Sequence, residues 1–423
     1  MRLKALTKLE HGGGGLTDAE LAAAVRGSLP DGPGELGRVL LIPPDLTRAH
    51  SGAGRLTNLY YHEFRRYCAV DVLPALGTHT PMTESECREM FGDIPYACFM
   101  QHDWRSGLAI IGRAPGGFVS ELSDGFMDSP VDFEINNALL DPAYGLIVSI
   151  GQVVPHEVVG MANYSKNILV GCGGSRLINA SHMLGAHYGL ERLMGRDHSP
   201  VRKLFDYAQE NFLKKLPLSY VMTVVSADAV RGVFIGDGRG AFEHAVAMSQ
   251  KLNITLLDRP LQKVVVYLDP KEFRSTWLGN KAIYRTRMAI ADGGELIILA
   301  PGVERFGEDG EVDRLIRKYG YRGRGMIIAR LKNDDLANNL SAAAHLIHGS
   351  DEGRFKTVYC PGRLAGEEIE GVGYGYMEYS EAAKLYPYER LKEGLNSLNG
   401  DEIYFIANPA VGLWAAREKF YRE

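Results

Sequence analysis

The segment Arg38–Arg48, RVLLIPPDLTR, runs from an uninterrupted apolar stretch into a polar turn. An apolar stretch of this length is typical of a strand that is buried on both faces, as in a parallel sheet. Similar runs recur along the chain, and many end in Gly, Pro or Asp: Ala69–Leu76, Leu108–Gly112, Gly145–Ile150, Tyr220–Ser226, Val264–Leu268, Glu295–Ala300, Gly325–Ala329, Thr357–Cys360 and Glu402–Ala407. Helical patterns such as Ala241–Leu252 and Leu336–His348 lie between them. This alternation predicts an α/β protein with mostly parallel sheets.

The length of the chain, 423 residues, favours two domains over one core. A strand pattern ends at Asp258 and Pro260 begins a new segment, so we place the boundary there. We predict an N-terminal domain of residues 1–258 plus 404–423 and a C-terminal domain of residues 259–403. Because parallel α/β sheets bind ligands at the carboxyl ends of their strands, we expect an active-site cleft between the two domains.

Charge and composition exclude several classes of protein. The net charge is −5, from 47 basic and 52 acidic side chains, and no dense basic run is present. Neither nucleic acid nor an anionic membrane is therefore an expected partner. The segment Met1–Glu10 lacks the apolar stretch of a signal peptide, and no run reaches the roughly 18 apolar residues of a membrane span. Five scattered cysteines indicate free thiols, and we expect a cytoplasmic protein.

Two polar turns follow the first predicted strands. Asp45 and Arg48 lie three residues apart after the first strand, where a carboxylate and a guanidinium could face one pocket. The guanidinium fork suits a planar carboxylate, although a helix cap with a surface arginine is the alternative interpretation. His79 follows Gly77 after the second strand and is a candidate proton carrier near neutral pH. A histidine bonded only to backbone groups of the turn is the alternative.

The richest polar segment begins at Pro155–His156, after the strand pattern of Gly145–Ile150. Lys166 could serve as a covalent attachment point if its pKa is lowered. Gly173 and Gly174, in the run Gly171–Gly174, could let backbone N–H groups approach a phosphate. His182 could bind nickel, zinc or copper through a neutral imidazole. Taken singly, each residue could also belong to an ordinary turn or surface.

The segment Gly236–Ala241 supports a different function. It follows an apolar run, opens a helical pattern and fits the dinucleotide fingerprint G-x-G-x-x-A. Asp258 ends the next apolar run about 20 residues later, where a ribose-binding acid would lie. The alternative hypothesis from this segment is an NAD-dependent 2-hydroxy-acid dehydrogenase.

In combined order and spacing, these motifs resemble the nickel-pincer lactate racemases and their wider family of 2-hydroxy-acid racemases. Asp45–Arg48 is similar to the D-x-T-R segment of that family, and Gly77–Pro81 is similar to its G-T-H-R-P segment, with Thr in place of Arg. Pro155–His156 is similar to its P-H segment. Lys166 and His182 then follow at spacings of 10 and 16, like the tethering lysine and the nickel-ligating histidine of the family.

The resemblance implies a cofactor, a pyridinium mononucleotide with thiocarboxamide or thiocarboxylate groups that holds nickel through one carbon and two sulfurs. Lys166 would be its tether and His182 the metal ligand. Asp45 would contact it, and Gly173 and Gly174 would line it. Cofactor-building enzymes are then expected partners. A carrier without turnover, which keeps Lys166 and His182, is a third hypothesis.

The resemblance also implies a reaction, the racemisation or C2 epimerisation of a 2-hydroxy acid by reversible hydride transfer through a 2-keto acid. His79 and His156 would be the paired acid/base residues, and Arg48 would bind the substrate carboxylate. A later family segment, Y-Q-x-x-K, has its nearest match at Tyr284–Met288, YRTRM, which makes Tyr284 and Arg285 candidate substrate residues.

This sequence differs from the lactate enzymes around the substrate. Arg285 and Met288 replace the Gln and Lys of the family segment, and the region Leu336–Leu340 has no counterpart of a family tryptophan. We therefore predict a substrate larger or more polar than lactate, such as a sugar acid or a dicarboxylate. Surface ion pairs of Arg285 and Arg287 are the alternative interpretation.

Overall fold

The computed structural model of the chain describes residues 1–10, 13–331, 334–398, 400–410 and 412–422. They form two compact units. Unit 1 comprises Met1–Ser181 and Gly195–Leu252, and unit 2 comprises His182–Met194 and Asn253–Glu423. The prediction of an α/β protein with mostly parallel sheets is confirmed.

Unit 1 is built on a mixed sheet. The strands of unit 1 are β1 (Leu6–Glu10), β2 (Arg38–Ile42), β3 (Ala69–Val72), β4 (Leu108–Ala114), β5 (Val131–Asn136), β6 (Tyr144–Gln152), β7 (Pro155–His156), β8 (Gly160–Met161), β9 (Leu218–Ser226) and β10 (Ala229–Gly236). The main sheet has the order β1-β10-β9-β6-β2-β3. Strands β3, β2, β6 and β9 are parallel, whereas at the other side β10 pairs antiparallel with β9 and β1 pairs antiparallel with β10. The carboxyl ends of β3, β2 and β6 therefore lie at one edge.

Helices connect and cover these strands. The helices up to residue 253 are α1 (Asp18–Ser28), α2 (Ala53–Phe64), α3 (Glu84–Phe91), α4 (Gly116–Leu122), α5 (Ser175–Tyr188), α6 (Leu190–Leu193), α7 (Pro200–Asn211) and α8 (Arg239–Asn253). The division between the units passes through α5, and α6 belongs to unit 2. Side chains of α2, including Tyr60 and Phe64, pack with Val39 and Val148 of the sheet in a core without solvent exposure. Each such burial stabilises the fold by about 1.5–3 kcal/mol.

Unit 2 contains a second, mostly parallel sheet. Its strands are β11 (Ile254–Leu257), β12 (Leu261–Tyr267), β13 (Ile290–Ala300), β14 (Lys356–Pro361), β15 (Gly375–Tyr376), β16 (Gly394–Leu398), β17 (Asp401–Ile406) and β18 (Leu413–Ala416). Its further helices are α9 (Thr276–Gly279), α10 (Lys281–Thr286), α11 (Gly310–Tyr319), α12 (Arg324–Arg330), α13 (Leu340–His348), α14 (Gly366–Gly371), α15 (Tyr379–Leu385) and α16 (Arg417–Phe420). The main sheet has the order β15-β14-β13-β12-β17-β16, with only the β16–β17 pair antiparallel, and β11 pairs in parallel with β18.

The structure differs from the sequence predictions in three places. Residues 404–423 belong to unit 2 and not to the N-terminal domain, because β17 pairs with β12 and β18 pairs with β11. Gly325–Ala329 is not a strand but lies in helix α12, which buries only Ile327. Leu108–Gly112 is a strand, but it forms the antiparallel pair β4–β5, and Ile110 is 53% exposed.

The free thiols expected from the sequence are confirmed, because all five cysteines are unpaired. Within the described residues, no helix combines the length and apolarity that crossing a bilayer requires.

Candidate active site

Three polar loops follow the carboxyl ends of the neighbouring strands β3, β2 and β6. The 3-10 segment Leu46–Ser51 follows β2, and backbone hydrogen bonds from Leu73 to Leu41 and from Ala75 to Pro43 keep the chain beyond β3 alongside it. Gly77 adopts a positive φ of 58°, and its N–H donates to Gly171 O at 2.8 Å. The loop carrying His79 is thereby tied to the turn that follows Lys166.

Asp45 and His79 form the best-defined polar pair of this edge. The Nδ1 atom of His79 lies 2.5 Å from Asp45 Oδ2, and Thr47 Oγ1 donates to the other carboxylate oxygen at 2.5 Å. Burial raises the pKa of Asp45, but the hydrogen bonds from His79 and Thr47 and the charges of His79 and Arg48 outweigh it, so the pKa lies below its ordinary value. Asp45 is therefore an ionised partner that orients His79, and it makes no side-chain helix cap.

When His79 is protonated its charge helps to lower the pKa of Asp45, and when it is neutral the contact with the ionised carboxylate fixes its tautomer. Nδ1 carries the hydrogen that is donated to the carboxylate, so Nε2 is the proton acceptor. The His79 ring is 52% exposed. Arg48 is half-buried in the same segment, and its guanidinium donates to Thr47 O at 3.3 Å.

His156 has the opposite proton assignment. It lies in the short β7–β8 hairpin beyond β6, where the Val158 N–H donates to its Nδ1 at 3.1 Å. Nδ1 is thus an acceptor, and the proton of the neutral ring is on Nε2. Glu157 Oε2 lies 4.0 Å from Nδ1, and the His156 side chain is 15% exposed. In their neutral forms the two rings therefore carry the hydrogen on different nitrogens, His156 on Nε2 and His79 on Nδ1.

Lys166 lies in an unusual stretch of backbone. Asn163 and Tyr164 have positive φ values of 70° and 58°, and Asn167–Gly171 forms a π-helical turn. Such conformations concentrate at functional sites because the surrounding structure must hold them. Asn167 fixes the turn by donating to Ile42 O at 3.2 Å and to Ser149 Oγ at 2.9 Å.

The amine of Lys166 is set up to be nucleophilic. Its side chain is half-buried, and no hydrogen-bond or ion-pair partner for it exists among the residues that the structure describes. Burial and the charge of Arg48 lower its pKa to about 8, with Glu157 acting in the opposite direction. About a tenth of the amine is therefore unprotonated at pH 7, far more than for an ordinary lysine.

Close packing explains the two glycines predicted to line a cofactor. A Cβ at Gly173 would lie 1.8 Å from Leu169 O, and a Cβ at Gly174 would lie 2.3 Å from Glu134 Oε2. Buried His102 donates from Nε2 to Gly173 O at 3.1 Å. The backbone contact requires glycine at position 173, whereas at Gly174 the nearest atoms belong to side chains that can move. The contact of both glycines with a cofactor stays a prediction.

Replacing Gly173 with alanine is expected to lower the free energy of unfolding by about 1–3 kcal/mol, because backbone has to move. Urea unfolding of the unloaded protein measures this. Gly117→Ala is the matched control, since nothing lies within 4 Å of its Cβ and alanine suits its exposed position in α4, giving a gain of up to about 1 kcal/mol. Equal midpoints for Gly173→Ala and the unaltered protein would contradict the packing argument.

The remaining predicted residues lie in unit 2. His182 is partly buried in α5, on the unit 2 side of the division. Tyr284, in α10, is buried and its hydroxyl lies 2.7 Å from His345 Nδ1. The buried Arg285 guanidinium donates to Gly412 O at 3.5 Å.

The structure adds polar and aromatic partners that the sequence motifs do not mark. His345 Nε2 lies 2.9 Å from Tyr321 Oη, and the Trp277 ring stacks on His345 with 4.1 Å between ring centroids. An aromatic surface thus exists near Tyr284, although the chain has no tryptophan in Leu336–Leu340. No sequence signal joins Trp277 to His345, because 68 residues separate them in the chain.

The interpretation of Arg285 and Arg287 as surface ion pairs is wrong, because both side chains are buried. Arg287 donates to Glu191 Oε1 at 3.0 Å and to the carbonyls of His348 and Ser350. Arg287 therefore links Glu191 of α6 to the backbone of His348 and Ser350 within unit 2.

The segment Gly236–Ala241 does not form a dinucleotide site of the parallel type. β10 is antiparallel to β9, and Gly236 pairs with Tyr220 near the amino end of β9. The fingerprint therefore lies at the sheet edge opposite the carboxyl ends of the parallel strands. β11, which leads to Asp258, pairs with β18 and not with β10. The geometry that the dehydrogenase hypothesis needs is absent from this segment.

Among the described residues, no group of three or more His, Cys, Asp or Glu side chains is gathered around a point that could hold a metal ion. A single histidine such as His182 can hold a metal only together with donors from another group.

Comparison with known proteins gives one family match, over part of the chain, and similar solved structures. Residues 28–190 match the model of the lactate racemase N-terminal domain. The fold resembles a crystal structure from Thermotoga maritima (TM-score 0.81, 24% identity, covering 97% of this chain and 100% of that one). It also resembles the lactate racemase apoprotein from Thermoanaerobacterium thermosaccharolyticum (TM-score 0.70, 18% identity, covering 94% and 92%). No curated protein matches the chain.

The matched region, residues 28–190, carries the loops of Asp45, His79, His156 and Lys166. It resembles a domain of a racemase. The comparisons thus show the fold for the whole chain and, for residues 28–190, a likeness to the lactate racemase N-terminal domain.

Proposed function

We propose that the protein is a racemase or C2-epimerase of a 2-hydroxy acid, which acts with a nickel-pincer nucleotide held by Lys166. The observation that carries the proposal is the placement of two histidines, His79 oriented by the Asp45 carboxylate and His156, in loops at one edge of the sheet. The family match over residues 28–190 supports the same class of reaction.

The residues present fit such a cofactor in their chemistry. The Lys166 amine is half-buried, has a pKa of about 8 and can form a covalent link. His182 offers one imidazole, which is sufficient where the other metal donors belong to the cofactor. When bound, the group supplies a reversible acceptor for the hydride of substrate carbon C2. Asp45, which we predicted to contact it, instead has its carboxylate engaged by His79.

The two histidines would handle the oxygen proton of the substrate. His79 Nε2 takes the proton of the C2 hydroxyl, and the Asp45 carboxylate stabilises the imidazolium that forms. After the planar 2-keto acid has turned within the site, His156, which enters the cycle as the imidazolium, gives a proton to the same oxygen and becomes neutral. One acceptor and one donor are needed because removal and return occur on opposite faces. Each group is expected to contribute roughly 10²–10⁴-fold in rate.

Arg48 would bind the substrate carboxylate, since a guanidinium donates two parallel hydrogen bonds. Tyr284 and Arg285 would contact the rest of the substrate. Both are buried in unit 2, where Arg285 replaces the Gln of the lactate enzymes, and this extra charge favours a sugar acid or a dicarboxylate over lactate.

Epimerisation in D₂O tests the proposed reaction. We expect the loaded protein to invert C2 of at least one acid in a panel of sugar acids and dicarboxylates, with little deuterium at C2, because the hydride returns to the carbon that lost it. NMR and mass spectrometry of the product measure both quantities. Deuterium at C2 in most of the inverted product would indicate a carbanion and overturn the proposal.

A further inference from the structure

Arg202, in the first turn of α7, is fully buried. Its guanidinium donates to Met161 O at 2.7 Å, to Asn163 O at 3.3 Å and to Ser165 Oγ at 3.1 Å. A buried guanidinium is costly unless it is well bonded, and these acceptors all belong to the segment that leads into Lys166.

An aromatic stack completes the surroundings of this segment. The Arg202 guanidinium lies 4.5 Å from the centre of the Phe242 ring. Phe242 in turn stacks on Tyr164, with 5.2 Å between centroids and 16° between planes. Tyr164 is the residue with the left-handed backbone two positions before Lys166. The bulky side chain keeps this conformation because Phe242 and Arg202 fill the space beside it.

Helix α7 itself is fastened to the same stretch of chain. Ser199 caps the helix by accepting from the N–H of Arg202 at 3.1 Å, and its hydroxyl donates to Val159 O at 3.1 Å. Asp206, one turn after Arg202, is bonded to Arg239 at 2.5 Å and keeps that partner if Arg202 is changed. The segment before Lys166 is thus held from α7, while Asn167 holds the turn after it.

We propose that Arg202 is a positioning residue for Lys166, which fixes the amine for attachment of a cofactor. The proposal rests on the proposed role of Lys166 as tether. Arg202 does not touch the reacting atoms and acts through the backbone of Met161–Ser165 and through its positive charge.

The electrostatics agree with this role. Burial lowers the pKa of Lys166 most, the charges of Arg48 and Arg202 lower it further, and Glu157 and Asp45 oppose them. Burial also lowers the pKa of Arg202, to about 10, so the guanidinium is still charged at neutral pH. Loss of this cation, or loosening of the segment into water, would therefore raise the pKa of Lys166.

Competitive acetylation of the unloaded, full-length protein with acetic anhydride between pH 6 and 10 tests the proposal. Mass spectrometry gives the rate at Lys166 relative to exposed Lys214. For Arg202→Met we expect the pH midpoint of Lys166 to rise by about one unit and its rate at pH 7 to fall about tenfold. Arg202→Lys, which keeps the cation but not the fork, should restore most of the rate. Lys203→Met, an exposed change in the same helix, should leave Lys166 unchanged.

Phe242→Leu is the second variant, for use if circular dichroism shows that Arg202→Met does not fold. We expect it to lower the Lys166 rate at pH 7 about twofold, because the segment is loosened while the cation stays. A Lys166 rate that is the same in every folded variant and in the unaltered protein would overturn the proposal. The intact mass of protein made with the cofactor-building enzymes tests the tether role of Lys166 separately from the positioning role of Arg202. If the unaltered chain carries no adduct, the tether role fails, whereas the acetylation profile still decides the role of Arg202.

Discussion

Protein with Lys166→Arg, made together with the cofactor-building enzymes, is expected to carry no covalent adduct and no nickel, and to have no detectable epimerase activity. Arginine keeps the positive charge, but its guanidinium stays protonated and is not a nucleophile. Intact-mass and metal analysis measure the loss directly. The effect should be complete, because no other residue in our proposal can replace the amine.

Lys214→Arg is the matched control for this variant. Lys214 is exposed and pairs with Glu210 at 3.1 Å, so the same substitution there should leave the adduct in place. Attachment to the unaltered chain should also depend on pH. With a pKa of about 8, the unprotonated fraction of Lys166 rises roughly fivefold from pH 7 to pH 8 and then levels off, whereas an ordinary lysine gains tenfold per unit up to about pH 10. An adduct of unchanged mass on Lys166→Arg would remove the basis of the proposed function.

Replacement of His156 by alanine should leave the adduct intact and reduce epimerisation by roughly 10²–10⁴-fold, which is the usual contribution of one acid/base group. The loss should apply to both directions of the reaction, because each direction needs one proton donor and one proton acceptor. Activity is measured by chiral chromatography, and the adduct is checked by intact mass.

His79→Ala should behave like His156→Ala, since the two residues exchange roles when the reaction reverses. His198→Ala is the control, because the His198 side chain is 70% exposed and takes no part in the proposed site. Full activity of His156→Ala, with a normal adduct, would refute the acid/base role.

The strands of the parallel sheets could be predicted because they are continuous apolar runs. β2, β6 and the part of β13 from Glu295 to Ala300 follow this rule. Gly325–Ala329 does not, because a short apolar run fits a buried strand and one face of a helix equally well. The edge strands β1 and β16 mix polar and apolar residues and give no comparable signal.

The loops of the candidate site could be predicted from the rule that polar turns at the carboxyl ends of parallel strands meet at one edge. The pairing of Asp45 with His79 could not, since 34 residues separate them and only the register of β2 with β3 brings them together. Arg202 gave no signal either. It lies in an ordinary helical pattern, and its burial depends on the backbone conformation of Asn163 and Tyr164.

The net transfer of one proton from a protonated His156 to a neutral His79 in each conversion has a kinetic consequence for the proposed enzyme. After one conversion His79 is protonated and His156 is not. The two histidines therefore leave the cycle with their protonation states exchanged. Each form accepts one enantiomer, and only exchange with water restores the other. The His156 side chain is 15% exposed and that of His79 is 52% exposed. Reprotonation of His156 by water would therefore be slower than loss of the proton from His79. At saturating substrate, the protonation state of the enzyme would therefore still depend on the isomer that it released last.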